Sequence, residues 1–148
     1  MPSTYLSLHY HLVFSTKERV PIIEPSWRPR LHDYLGGTIR GLGGFPQEIG
    51  GVADHVHLLI GLKATHALAD VMRELKKASS IWAHEKLGAA NFAWQEGYAA
   101  FTVSATARDS VRSYIANQEQ HHRKKTFREE LVELLEKAGI QYDAKYLD

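Results

Sequence analysis

The chain has 148 residues, 44% of them apolar and 24% charged, with a net charge of +1, no cysteine and nine histidines. This is enough for one domain with one core. It argues against a disordered chain, a membrane-spanning helix (no apolar run nears ~20 residues), and disulfides or thiolate-bound metals. Met1-Pro2-Ser3-Thr4 lacks a charged stretch leading into an apolar one, so no signal peptide is expected and a cytoplasmic location is.

Residues 5–15 alternate, with Leu6, Leu8, Tyr10, Leu12 and Phe14 on one face and Ser7, His9, His11, Val13 and Ser15 on the other, which predicts a half-buried strand. Polar residues with Pro21 and Pro25 make 16–25 a loop. Trp27, Leu31, Leu35 and Ile39 recur every four residues and predict a helix over 26–42, ended by Gly41, Gly43 and Gly44. A second strand is expected over 45–52, with a bend at Gly50 and Gly51. A third is expected over 55–61, after a turn at Asp54. A long helix follows, with Leu68, Val71, Met72, Leu75, Ile81 and Trp82 as its apolar stripe and Arg73, Lys76, Lys77, Ser80 and His84 as its polar side. After a loop over 88–97, a fourth strand is expected over 98–104, then helices over 107–124 and 126–138.

The order βαββαβ plus a helical tail predicts an α+β, ferredoxin-like antiparallel sheet in a single domain over 1–148. In this arrangement two helices cover one sheet face and the other is left open. The first and third strands are adjacent at the sheet centre.

Chemistry concentrates in Asp54-His55-Val56-His57-Leu58-Leu59-Ile60. On a strand, His55 and His57 share a face, and two adjacent imidazoles suit a divalent metal. Alone, such a pair is more often simply two polar residues on a solvated sheet face. The predicted topology brings His9 and His11 to the same face, where packing does not account for four histidines. Tyr114 and Gln118 are four residues apart and share one helix face. That spacing alone is common packing. Two basic clusters stand out: Arg73, Lys76 and Lys77, and His121, His122, Arg123, Lys124, Lys125 and Arg128. Solvated helix faces explain such clusters as readily as phosphate contacts do.

Taken together these elements resemble the single-tyrosine HUH transposases of the insertion sequence 200/605 type. His55-Val56-His57 is similar to that family's histidine–hydrophobic–histidine motif, and Tyr114 with Gln118 to its tyrosine motif. Tyr10 through Lys17, Leu68 through Ser80 and Trp94 through Tyr98 also resemble family segments, so the likeness spans almost the whole chain. Ala99 and Ala100 are smaller than the family pattern, and the net charge is low for a DNA enzyme.

The resemblance implies Tyr114 as nucleophile and His55, His57 and Gln118 as ligands of Mg2+ or Mn2+. Two imidazoles alone suit zinc or nickel equally. It implies cleavage and rejoining of single-stranded DNA, with hairpins at element ends, through a 5′-phosphotyrosine. No general base stands out in the sequence. His11, His9, Lys76, Lys77 and Asn117 are the expected DNA contacts. A homodimer is expected, and neither a membrane nor a nucleotide cofactor. Three rivals remain: a non-catalytic nucleic-acid-binding module, a domesticated repeat-associated tyrosine transposase, and a two-histidine phosphoesterase. The last needs two His-x-Ser/Thr motifs, and the chain has none.

Overall fold

The structure, a computed structural model, describes residues 3–147. Met1 and Pro2, on which the signal-peptide reading partly rests, lie outside it, as does Asp148. The elements are β1 (His9–Ser15), α1 (Arg28–Gly41), β2 (Phe45–Gly51), β3 (His55–Gly61), α2 (Leu68–Leu87), β4 (Ala99–Thr102), α3 (Arg108–Ala116), α4 (Gln118–His121) and α5 (Phe127–Lys137). The sheet order is β2-β3-β1-β4, antiparallel throughout, so β1 and β3 are central as the sequence predicts.

One sheet face is apolar by alternation. Leu12 and Phe14 of β1 and Val56, Leu58 and Ile60 of β3 pack on Leu31, Leu35 and Ile39 of α1 and on Val71, Met72 and Leu75 of α2. Ile81 is 44% exposed and does not belong to this stripe. Ser79 lies within it instead, its Oγ donating to the Leu75 carbonyl at 2.8 Å and accepting from Trp94 Nε1 at 2.8 Å. The hydroxyl is tolerated in the core because both its roles are filled.

The opposite face is not open. α3 packs across β2 and β3, with Ile115 and Tyr114 on a second small core around Leu59 and Val103. Gly50 permits this approach: a Cβ there would stand 2.1 Å from the Ile115 carbonyl oxygen. Sequence periodicity shows which strand residues share a face, but not whether a later helix returns to cover it.

Three boundaries differ from expectation. β1 begins at His9, with Leu6 exposed, because residues 5–8 have no partner strand. β4 pairs only over 99–102. The helix expected over 107–124 stops at Ala116, because Asn117 leaves helical geometry (φ −103°, ψ 26°), and the short α4 begins again at Gln118. α5 matches its expected span, and Thr126 and Glu129 form a reciprocal cap at its start.

Candidate active site and metal centre

β3 delivers His55 and His57 to the face beneath the tail helices, where both are fully buried. The register sets Val13 opposite His57 and Ser15 opposite His55, which leaves His11 one step along the same face. His11 Nε2 lies 2.7 Å from His57 Nδ1, and the two rings stack. Asp54 Oδ1 accepts from His55 Nδ1 at 2.7 Å.

The tail supplies the other wall. Glu130 of α5 is 1% exposed, and its two oxygens face different ways. Oε1 lies 2.9 Å from His57 Nε2, 3.3 Å from His55 Nε2 and 3.1 Å from His122 Nε2. Oε2 accepts from the Tyr114 hydroxyl and, at 3.1 Å, from Gln118 Nε2. Gln118 Oε1 lies 3.2 Å from His55 Nε2 and 2.9 Å from His122 Nε2. Despite the break at Asn117, Tyr114 and Gln118 thus reach the same carboxylate.

The electrostatics follow from burial and these partners. Burial opposes charge on Glu130, but hydrogen bonds from His122, His55 and His57 outweigh it and hold the carboxyl far below the usual range. Burial also opposes charge on His55, yet its bonds to Asp54 and Glu130 prevail and raise its pKa. His57 and His11 are lowered, to about 4 and about 3, chiefly by burial. Burial first, and then the bond to Glu130, push the Tyr114 phenol well above its ordinary value.

The donor set suits a metal ion. One ligand atom each from His55, His57, His122 and Glu130 lies within 4.8 Å of the others. Asp54 holds Nδ1 of His55, and the Lys125 carbonyl accepts from Nδ1 of His122 at 2.8 Å. With Nδ1 held by an acceptor, each Nε2 can exchange the proton it gives to Glu130 for a cation, to which it then offers its lone pair.

The other expected residues lie elsewhere. His9 faces Arg108 Nη1 at 3.3 Å, near Gly61 and away from the histidine pair. Lys76 is on the α1/α2 side of the sheet, its ammonium donating to the carbonyls of Gln95, Glu96 and Gly97 at 2.7, 3.0 and 2.6 Å. Burial lowers that ammonium to about 8. Lys77 is exposed on the same helix. Asn117 is exposed at the helix break and, with Tyr114, His121, Arg123 and Lys124, lines a cleft of about 650 Å³.

Sequence reasoning missed Glu130 and His122. The signal for Glu130 was its place three residues after Phe127, on the face α5 buries. A carboxylate on an apolar stripe needs partners, and only the fold identifies them.

Comparison with known proteins gives one answer. The profile of the family described as "Transposase IS200 like" matches residues 4–118. The ISDra2 transposase TnpA of Deinococcus radiodurans is 31% identical over 120 residues, covering 75% of this chain and 84% of that protein. A crystal structure from Deinococcus radiodurans R1, assigned as a transposase, superposes with a TM-score of 0.63 at 26% identity, over 80% of this chain and 96% of that one. The REP-associated tyrosine transposase bound to a REP hairpin shares the fold, with a TM-score of 0.56 at 14% identity over 78% of this chain and 70% of that one.

Proposed function

Because this chain belongs to the IS200-like transposase family, we propose that it cuts and rejoins single-stranded DNA through a covalent bond to Tyr114. The observation that carries this reading is the Tyr114 hydroxyl bound to a carboxylate that also contacts His57 and His55. Nucleophile, proton acceptor and paired imidazoles share one buried cluster beside a basic cleft.

In the cut, Tyr114 Oη bonds to the scissile phosphorus and the bond from phosphorus to the 3′ oxygen breaks. That oxygen leaves and takes up a proton, and the 5′ end stays on the protein as a phosphotyrosyl ester. A 3′-hydroxyl from another strand reverses the step and frees Tyr114. The ester conserves the phosphodiester's energy, so no nucleoside triphosphate is needed. Glu130 Oε2 is the acceptor within reach of the phenol's proton, and its bonds to the imidazoles keep it ionised. It fills the place of the base that the sequence does not reveal.

His55, His57 and Gln118 hold a divalent ion, Mg2+ or Mn2+ by family resemblance, which when bound neutralises the phosphate's non-bridging oxygens and orients it. His11, buried against His57, serves as that ring's support. His9, Asn117 and Lys77 are the exposed or half-buried candidates for DNA contact. Hairpin-forming element ends as substrate, a homodimer and a cytoplasmic location complete the reading. No described helix is long and apolar enough to cross a membrane.

The test is incubation with labelled single strands from the element's own flanks, with magnesium or with chelator, followed by a denaturing gel. The expected result is a metal-dependent protein–DNA adduct that Tyr114→Phe abolishes. An adduct that survives the substitution overturns the choice of nucleophile. DNA binding without any adduct leaves a binding module.

A further inference from the structure

The family match ends at Gln118, yet the inward-facing donors do not. Two of the four, His122 and Glu130, come from the segment beyond it. We propose that His122 and Glu130 are metal ligands alongside His55 and His57. They form a three-histidine, one-carboxylate centre that takes a first-row transition ion in preference to Mg2+.

The spacing supports coordination. Four donors bound at ~2.0–2.1 Å to a tetrahedral ion stand roughly 3.3 Å apart. Glu130 Oε1 is 2.9, 3.1 and 3.3 Å from the three Nε2 atoms. A single ion can therefore replace the hydrogen bonds among these donors with little movement of the backbone. Gln118 Oε1, 2.9 Å from His122 Nε2, is placed as a fifth donor or as the neighbour of an open position.

The outer contacts support it independently. Metal-binding histidines hold their second nitrogen on a carboxylate, a carbonyl or another fixed partner. Here each does: His55 on Asp54, His122 on the Lys125 carbonyl, and His57 on His11, at 2.7, 2.8 and 2.7 Å. Three imidazoles aimed at one point, each pinned from behind, are more than a buried carboxylate needs for its own satisfaction.

The choice of ion follows from ligand type. Mg2+ demands oxygen donors in near-octahedral array and gives up its water reluctantly. Imidazole nitrogens favour zinc, nickel, cobalt and iron, with Mn2+ the weakest of the series. Three nitrogens to one carboxylate oxygen therefore disfavour Mg2+. The two Glu130 oxygens divide the work: Oε1 faces the ion and Oε2 the Tyr114 hydroxyl.

This inference rests on the reading that the site holds a metal, and it is tested on the full chain without DNA. Metal-free protein is titrated with Co2+, Zn2+ and Mg2+, followed by calorimetry and by the visible absorption of bound Co2+. The expected result is one tight Co2+ or Zn2+ site per chain with tetrahedral-type absorption, and Mg2+ at least about 100-fold weaker. Glu130→Gln and His122→Ala each weaken Co2+ by about 100-fold or more, while Lys86→Ala, exposed near the end of α2, does not. Asp54→Asn, which removes only an outer contact, weakens it about 10- to 100-fold. Far-ultraviolet circular dichroism identifies any variant that fails to fold, in which case Asp54→Asn and the Co2+ spectrum of the unaltered chain decide. Mg2+ binding as tightly as Co2+, or Co2+ binding unchanged in both Glu130→Gln and His122→Ala, overturns the proposal. A tight Co2+ site without a DNA adduct leaves this proposal standing and sinks the transfer reaction instead.

Discussion

The Tyr114 hydroxyl donates to Glu130 Oε2 across a helix break and a turn, from α3 to α5. The contact ties the candidate nucleophile to the element that closes over the histidine pair. It also fixes the phenol's acidity: burial raises the pKa, and the carboxylate's hydrogen bond and charge raise it further. Glu130→Gln removes the charge, so the Tyr114 pKa falls toward ~10. Tyrosine-selective carbon NMR across alkaline pH, with Tyr114→Phe to assign the resonance, reads the shift. A Tyr114 that titrates identically in both proteins shows that Glu130 does not control it.

The same substitution bears on catalysis in the opposite sense. A lower phenol pKa eases ionisation, but the amide no longer accepts a proton. Loss of a positioned base costs typically ~10²–10⁴-fold. The rate of adduct formation is therefore expected to fall at least about 100-fold in Glu130→Gln, although its tyrosine is the more acidic. Rates within a few-fold of the unaltered chain sink Glu130 as the acceptor.

How much of this was legible in the sequence differs by element. Alternation exposed the first central strand, Tyr10 through Ser15, because it leaves a period of two, and the third was marked by the histidine pair followed by the short apolar run Leu58-Leu59-Ile60. His55, His57, Tyr114 and Gln118 stood out by type and spacing, and the fold gathers all four. The covered second face was hidden, because α3 packs there through Gly50 and Ile115, a contact between residues far apart in the chain. Glu130 looked like one more acid in a charged helix, and His122 like part of a basic run. Each gained its meaning only from what the tail folds against. The break at Asn117 had no breaker residue to announce it, since no Gly or Pro occurs between Arg108 and Lys125.

His11 tests the support of His57. Its ring lies 2.7 Å from His57 Nδ1 and packs near Tyr114 and Phe101. Loss of such an outer contact typically costs ~10- to 100-fold in metal affinity. His11→Phe, which keeps most of the ring volume, is expected to weaken Co2+ within that range while leaving the fold intact by circular dichroism. Unaltered affinity, with a weaker grip on DNA instead, returns His11 to the role of a direct DNA contact.

Acid stability has a definite sign. Burial and His57 lower His11 to about 3, and burial and Arg28 lower His32 to about 4. The unfolded chain takes up these protons near ~6.5, so between about 6.5 and 4 it binds more protons than the fold. Stability of the metal-free protein therefore falls as pH drops through that window, by at most roughly 1.4 kcal/mol per pH unit for each histidine. His55, raised by its partners, acts the other way: its contribution is present below ~6.5 and is lost as pH climbs through its folded value. Urea unfolding at about pH 7, 6 and 5 measures the trend, and His32→Gln should flatten it. An unchanged slope in that variant removes His32 from the account.

Gly50 and Gly37 make a matched pair for the seating of α3. A methyl at Gly50 meets the Ile115 carbonyl oxygen at 2.1 Å, backbone against backbone, with no side chain to swing aside. Gly37, inside α1, has nothing within 4 Å of a built Cβ. Gly50→Ala must push α3 off the sheet, which carries Tyr114 away from Glu130. Overpacking of this kind costs typically ~1–3 kcal/mol and sometimes more. Gly37→Ala should instead stabilise by about 0.5–1 kcal/mol, because alanine loses less freedom in a helix. Thermal unfolding of the two variants should move in opposite directions, and only Gly50→Ala should lose the adduct. Equal melting temperatures and an intact adduct in Gly50→Ala would show that α3 is not held against β2 in the working protein, and that Tyr114 reaches the histidines by another arrangement.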